Sequence, residues 1–262
     1  MRHALRAEWT KLRTLRSNWW LAVAVAVFTV AASLTTMSTV DTSNCPTPAG
    51  CLEDVPELAL SGVWFGQIAA VLLGVGVIGG EYGTGLIRST LAARPRRHQI
   101  LAGKAAVVTA TVFVAGTVGV LGALLAGRII LPGKGFTEDN GYQPLSLADP
   151  ATLRAATGTV LYLTLIALLS LGIATAVRGT AAALSTVLSI LLITPLLVSM
   201  IGDPTWHERL DRLTPTTAGL AIQATTALDR LPIAPWAGVG VLAAYAAAAV
   251  ATGWWLLTRR DQ

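Results

Sequence analysis

Charge is scarce in this chain. Only 13% of its 262 residues are Asp, Glu, Lys or Arg, against about a quarter in a soluble domain. That polar material is consumed by loops and leaves no room for a separate soluble domain. Cysteine and histidine are nearly absent. Cys45, Cys51, His3, His98 and His207 fall at no metal-ligand spacing, which argues against a metal centre. The chain has no G-x-x-x-x-G-K-[ST] run: Gly103-Lys104 and Gly133-Lys134 lack the earlier glycine and the following hydroxyl. ATP hydrolysis by this chain is therefore not expected. The H-E-x-x-H and G-x-S-x-G signatures of metalloproteases and serine hydrolases are missing too.

What the chain does have is six long apolar runs, at residues 19–40, 58–80, 105–131, 155–177, 180–201 and 236–257. Each is long enough to cross a hydrocarbon core of ~30 Å at ~1.5 Å rise per residue. The expected fold is an all-α membrane protein with six transmembrane helices. The first run is longer than the ~7–15 residue core of a signal peptide and reads as a retained span. Charge sorts between the segments that join the runs. The N-terminus, the second and fourth connections and the C-terminus hold 13 of the 19 basic residues but only Glu8, Glu81 and Asp261 of the 14 acidic ones. Basic segments stay in the cytoplasm during insertion, so both termini are expected there. The same rule explains the pI near 9.7 without nucleic acid, and makes anionic lipid headgroups the natural counter-charge.

Residues 1–18 precede the first span. Leu5, Trp9, Leu12 and Leu15 recur at helical spacing among Arg2, Arg6, Lys11 and Arg13. This pattern fits an amphipathic helix lying in the interface; a plain basic topogenic tail is the alternative. Residues 258–262 form the opposite tail. Cys45 and Cys51 share the first exterior loop, with Pro46, Pro48 and Gly50 between them. A disulfide and two free thiols are both open.

Glycines at 62, 66, 76, 79, 80, 116, 119 and 122 allow close helix approach, either as a moving seam or as ordinary bundle packing. Val177-Arg178-Gly179 predicts a tight hairpin. Pro195 interrupts the fifth run, and Thr194 is placed to serve a freed carbonyl. The last exterior segment predicts two short helices, Trp206–Leu213 and Thr216–Leu228, the second with a stripe of Leu220, Ala224 and Leu228. His207 reads as a solvated loop residue. No run carries a buried ionisable pair, which weakens ion-coupled transport. Ser61, Gln67, Thr194 and Ser199 are the scattered polar groups. Trp64, Phe65 and Gln67 are candidates for lining a substrate path.

The segment from Glu81 to Lys104 is the longest inner connection. Thr84 is placed to cap a short helix through Leu91 with Leu86, Ile87, Thr90 and Leu91 as its apolar face. Pro95 ends it, and Arg94, Arg96 and Arg97 surround the stop. It is either a docking element at the membrane surface or a solvated connector. Here the sequence resembles the ABC-2 family of ABC-transporter permease subunits, especially actinobacterial ones. Glu81, Tyr82, Gly85, Ile87, Arg88, Leu91, Pro95, Arg97 and Lys104 follow the family pattern, while Leu86 stands where Thr is common. Glu8-Trp9-Thr10-Lys11-Leu12-Arg13-Thr14 also resembles the start of such permeases.

The resemblance implies a permease working with a second permease subunit and separate P-loop ABC ATPase subunits. No cofactor belongs to this chain; ATP and Mg sit on the partner. Glu81, Thr84, Gly85, Leu86, Ile87, Arg88, Leu91, Pro95 and Arg97 would form the coupling element, with Glu81 pairing to Arg88 or an arginine of the elbow. Trp9, Leu12 and Arg13 would belong to an elbow helix along the inner leaflet. Export of a drug, peptide, lipid or other amphipathic compound is the expected function. A membrane-anchored binding or immunity protein that does not pump is the alternative.

Overall fold

The structure is a computed structural model and describes residues 16–40, 53–83 and 97–259. The described residues are helical, with short irregular connections and no strand. In chain order the helices are α1 (Arg16–Thr39), α2 (Val55–Leu60), α3 (Val63–Gly83), α4 (Arg97–Ile130), α5 (Pro150–Val177), α6 (Thr180–Leu188), α7 (Thr194–Ser199), α8 (Pro204–Leu213), α9 (Pro215–Leu220) and α10 (Pro235–Arg259). Among the described residues, six helical stretches are long and apolar enough to cross a membrane. They are α1, α2 with α3, α4, α5, α6 with α7, and α10.

The core lies where α3 and α5 meet. Leu73, Val75, Tyr162, Leu163, Ile166 and Leu171 are fully buried there. In lipid no hydrophobic gradient pulls helices together, so contact depends on close packing and on small residues. Gly172 and Gly253 show this. A methyl on Gly172 would sit 2.5 Å from the Ala249 carbonyl carbon, and one on Gly253 would sit 2.8 Å from the Gly172 carbonyl oxygen. Backbones of α5 and α10 therefore touch directly. Of the eight glycines singled out in the sequence, Gly62, Gly66, Gly79, Gly116, Gly119 and Gly122 abut another part of the same chain, while Gly76 and Gly80 face open space. These six close contacts fit ordinary bundle packing and a moving seam alike.

Helix starts at the acidic end follow one recipe. Asp54, Asp149 and Asp203 each cap a helix with a proline in its first two positions. The carboxylate accepts the orphan backbone N–H groups, and proline loses nothing where no helical bond is due. This recipe carries α5 and α2 outward beyond the apolar runs that mark the spans.

Pro195 is accommodated by a change of helix type. Residues Ser189–Ile193 form a π-helical turn between α6 and α7. The Leu191 carbonyl, which the missing Pro195 N–H would have served, accepts from Thr216 Oγ1 at 3.0 Å. Thr194 Oγ1 reaches the Ser189 carbonyl at 3.4 Å. A hydroxyl from another segment thus does most of the work expected of Thr194.

The last loop segment differs from its sequence expectation. Its first helix is α8. Its second stops at Leu220, continues as a 3-10 turn through Gln223, and turns at Ala227 with φ of 47°. The proposed stripe of Leu220, Ala224 and Leu228 is broken: Ala224 is buried and Leu228 exposed. The helix ends because Thr225 and Thr226 donate to Asp54 instead of continuing the helical ladder. His207 lies on α8, not in a loop, with its side chain 38% exposed. Its Nδ1 lies 3.1 Å from the Val198 carbonyl and its Nε2 3.2 Å from Asp211, tying α8 to α7.

Candidate functional site

The basic end of the bundle carries the connection between α3 and α4. Its two stems are joined by one side chain. Lys104, in the second turn of α4, extends across to α3, where its Nζ donates to the Val77 carbonyl at 3.0 Å and to Glu81 Oε1 at 2.8 Å. Lys104 is 1% exposed and Glu81 13%. An ammonium buried this far is tolerated only with charge and hydrogen-bond partners around it, and α3 supplies both.

The sequence placed this pair just outside the second and third apolar runs and expected no ionisable pair within them. The observed α4 begins at Arg97, eight residues before the third run, and carries Lys104 into its buried stretch. Glu81 thus has Lys104 as a partner. Arg88 and the elbow arginines Arg2, Arg6 and Arg13, partners expected from the sequence, lie outside the described residues.

α3 is held at the same level by a third helix. A methyl on Gly79 would lie 2.7 Å from Thr180 Oγ1, so the start of α6 presses on the α3 backbone where only glycine fits. Tyr82 packs against the buried core. The last two turns of α3 therefore bear on α4 through charge and on α6 through close contact.

A second polar line crosses the bundle interior. Tyr162 of α5 donates from Oη to Gln67 Oε1 of α3 at 2.6 Å. Thr216 lies beside the same hydroxyl and donates onward to the Leu191 carbonyl. Gln67 is 1% exposed, and its Nε2 has no hydrogen-bond partner among the described residues. By contrast Trp64 is 40% and Phe65 59% exposed on the outer surface. The structure does not bring these three residues to one lining: Gln67 points inward and the two aromatics outward.

At the acidic end, Asp54 joins two segments. Besides capping α2 through the Glu57 N–H at 3.2 Å, it accepts from the backbone N–H groups of Thr225 and Thr226 and from both hydroxyls. Gln223 Nε2 adds a bond to Thr159 Oγ1 at 3.0 Å. The sequence reading missed Asp54. Its signal was the Asp54-Val55-Pro56-Glu57 run, a capping signature lying just before the second apolar run. Tyr162, also missed, carries no local signal, because its partner is 95 residues away.

The remaining expected site residues fall as follows. Thr84, Gly85, Leu86, Ile87, Arg88, Leu91 and Pro95 lie outside the described residues, as do Trp9, Leu12, Arg13, Cys45 and Cys51. Arg97 is the first residue of α4. No group of three or more His, Cys, Asp or Glu among the described residues is placed to hold a metal ion. Comparison with curated proteins finds no match. Comparison with protein families matches residues 5–262 to the family described as ABC-2 family transporter protein.

Proposed function

Because the chain belongs to the ABC-2 transporter family, as a multi-pass permease component of an ABC transporter in the plasma membrane, we propose that it is an exporter permease moved by a separate ATPase through the connection between α3 and α4. The observation that carries this reading is the Lys104 bridge. It makes the two stems of the connection one mechanical unit, so a force on residues 84–96 enters α3 and α4 together. The Gly79–Thr180 contact passes it to α6.

In this reading the termini and this connection face the cytoplasm, as the charge sorting requires. ATP and Mg bind the partner. The ATPase selects one state of the permease through contacts that differ between states, made on the apolar face of Leu86, Ile87 and Leu91. Residues 1–18, with Trp9, Leu12 and Arg13, form a second contact along the inner leaflet. A second permease subunit completes the unit. The scarcity of charge inside the bundle favours an apolar or amphipathic cargo.

Purification of the intact protein from its native membrane in mild detergent, followed by mass spectrometry, tests this. A stoichiometric P-loop ATPase is expected. A well-folded chain that repeatedly comes away with no ATPase overturns the proposal.

A further inference from the structure

One face of α4 is apolar along most of its length and ends on a cation. Val114, Val118, Leu121, Leu125 and Ile129 recur at spacings of three and four and are all exposed, so they form one outward stripe on the helix. Arg128 stands in the same stripe, three residues after Leu125 and seven after Leu121, in the last turn of α4, and is exposed too. An arginine in the middle of the hydrocarbon is costly. But α4 has 34 residues and so runs about 51 Å at the helical rise, well beyond a ~30 Å core. Its last turn reaches the headgroup level at the acidic end of the bundle.

Other cations at that end are engaged within the chain. Lys134 donates to the Ser38 carbonyl at 2.8 Å and Arg154 to the Ala224 carbonyl at 2.6 Å. Arg209 lies over the Trp206 ring, and Arg212 pairs with Glu208. Arg230 sits on an exposed turn between helices, not on a span. Arg128 has no hydrogen bond or ion pair among the described residues; Glu138 shares a neighbouring crevice with it but does not pair to it.

Below Arg128 lies a crevice of about 230 Å³ between α4 and the segment that leads into α5. Five of its eight lining residues are leucines, and Arg128 is the only charged one. Leu121, Leu125 and Leu147 among them are exposed. Of the polar liners, Thr152 has its hydroxyl committed to Asp149 at 2.8 Å. The crevice is an apolar track with one cation at its outer end.

Lipid or a second copy of the chain are the natural covers for such a stripe, and charge separates them. In a two-fold dimer seated on this face each Arg128 would meet its own copy at the same depth, and like charges repel. A phospholipid instead brings a phosphate to the depth of Arg128 and a chain to the depth of the leucines. We propose that this surface holds one phospholipid of the leaflet at the acidic end, its phosphate on the Arg128 guanidinium and one acyl chain along Leu121, Leu125 and Leu147.

The test titrates the intact chain in mild detergent and counts bound lipid by native mass spectrometry. The probe is dioleoylphosphatidylglycerol, whose phosphate is its only charge. Dioleoylglycerol supplies the chains without the phosphate, and glycerol phosphate the phosphate without the chains. One saturable phospholipid is expected, held about tenfold more tightly than dioleoylglycerol, with no competition from glycerol phosphate. Arg128→Met should weaken it by a similar factor, Arg128→Lys by less, and Leu147→Gln several-fold. Without added lipid Arg128→Met should melt with the parent, since it breaks no bond within the chain; this separates lost binding from lost folding. The dioleoylglycerol comparison needs the parent alone and stands whether or not a variant folds. Equal affinity for dioleoylglycerol, displacement by glycerol phosphate, affinity unchanged by Arg128→Met, or an Arg128-dependent dimer that carries no lipid overturns the proposal.

Discussion

Replacing Lys104 by Met tests the bridge beneath the α3–α4 connection. At the observed Nζ–Oε1 separation of 2.8 Å, the gross attraction is about 6 kcal/mol at an effective dielectric of ~20. Most of that is offset by the loss of hydration of both groups. The measurable quantity is the cost of removing the Lys104 ammonium from Glu81, which for one partner of a buried pair is about 3–5 kcal/mol. The Val77 carbonyl also loses a donor. Thermal melting in detergent should show Lys104→Met and Glu81→Gln each strongly destabilised. The double variant should be much less destabilised than their sum, with an interaction energy of about 1–3 kcal/mol. Lys104→Arg should recover little, because a guanidinium cannot take the same point contact between a carbonyl and a carboxylate. Two additive effects each under about 0.5 kcal/mol, the scale of an ordinary surface change, would refute the reasoning.

Four further outcomes follow from the same geometry. Asp54→Ala strands the donors of Thr225, Thr226 and α2 and should cost about 2–3 kcal/mol by thermal melting, while Thr225→Val alone costs less. Asp149 has its pKa lowered mainly by the Thr152 N–H and then by the Thr152 hydroxyl. A lowered carboxyl stabilises above its unfolded value and loses that contribution as pH falls through its folded value. Asp149→Ala should therefore cost about 1 kcal/mol at neutral pH, the gap to the parent closing in melts taken below about pH 4. Thr216→Val leaves the Leu191 carbonyl opposite Pro195 unserved and should cost about 1–2 kcal/mol; Pro195→Ala in the same chain should restore part of it by returning a backbone N–H. Tyr162→Phe should destabilise by about 1 kcal/mol, whereas Tyr162→Phe with Gln67→Leu should be close to neutral because no buried partner is left stranded.

The spans were legible because lipid imposes a length and an apolar composition that no other solvent requires. The helix ends were less so. α5 starts five residues before its apolar run and α2 three residues before the second one, since Asp149-Pro150 and Asp54-Val55-Pro56 set those starts by capping, not by hydropathy. α9 stops early for a reason invisible in its own sequence: Thr225 and Thr226 are claimed by Asp54, about 170 residues away. Glu81 and Lys104 were both readable as residues of interest, but their pairing depends on α4 beginning before the third run. Trp64, Phe65 and Gln67 are close in sequence yet differ in burial: Phe65 stands about 200° around α3 from Gln67, and Trp64, only about 60° from it, lies at the edge of the buried face and is 40% exposed.

The account rests on force entering through residues 84–96. The most direct test places Ile87→Asp and Leu91→Asp in the full complex and measures two quantities: retention of the ATPase subunit and the melting temperature of the permease. The account predicts that the ATPase is lost, or its transport-linked hydrolysis abolished, while the membrane bundle melts as before. Full retention and unchanged hydrolysis, in a chain carrying both substitutions, would contradict it.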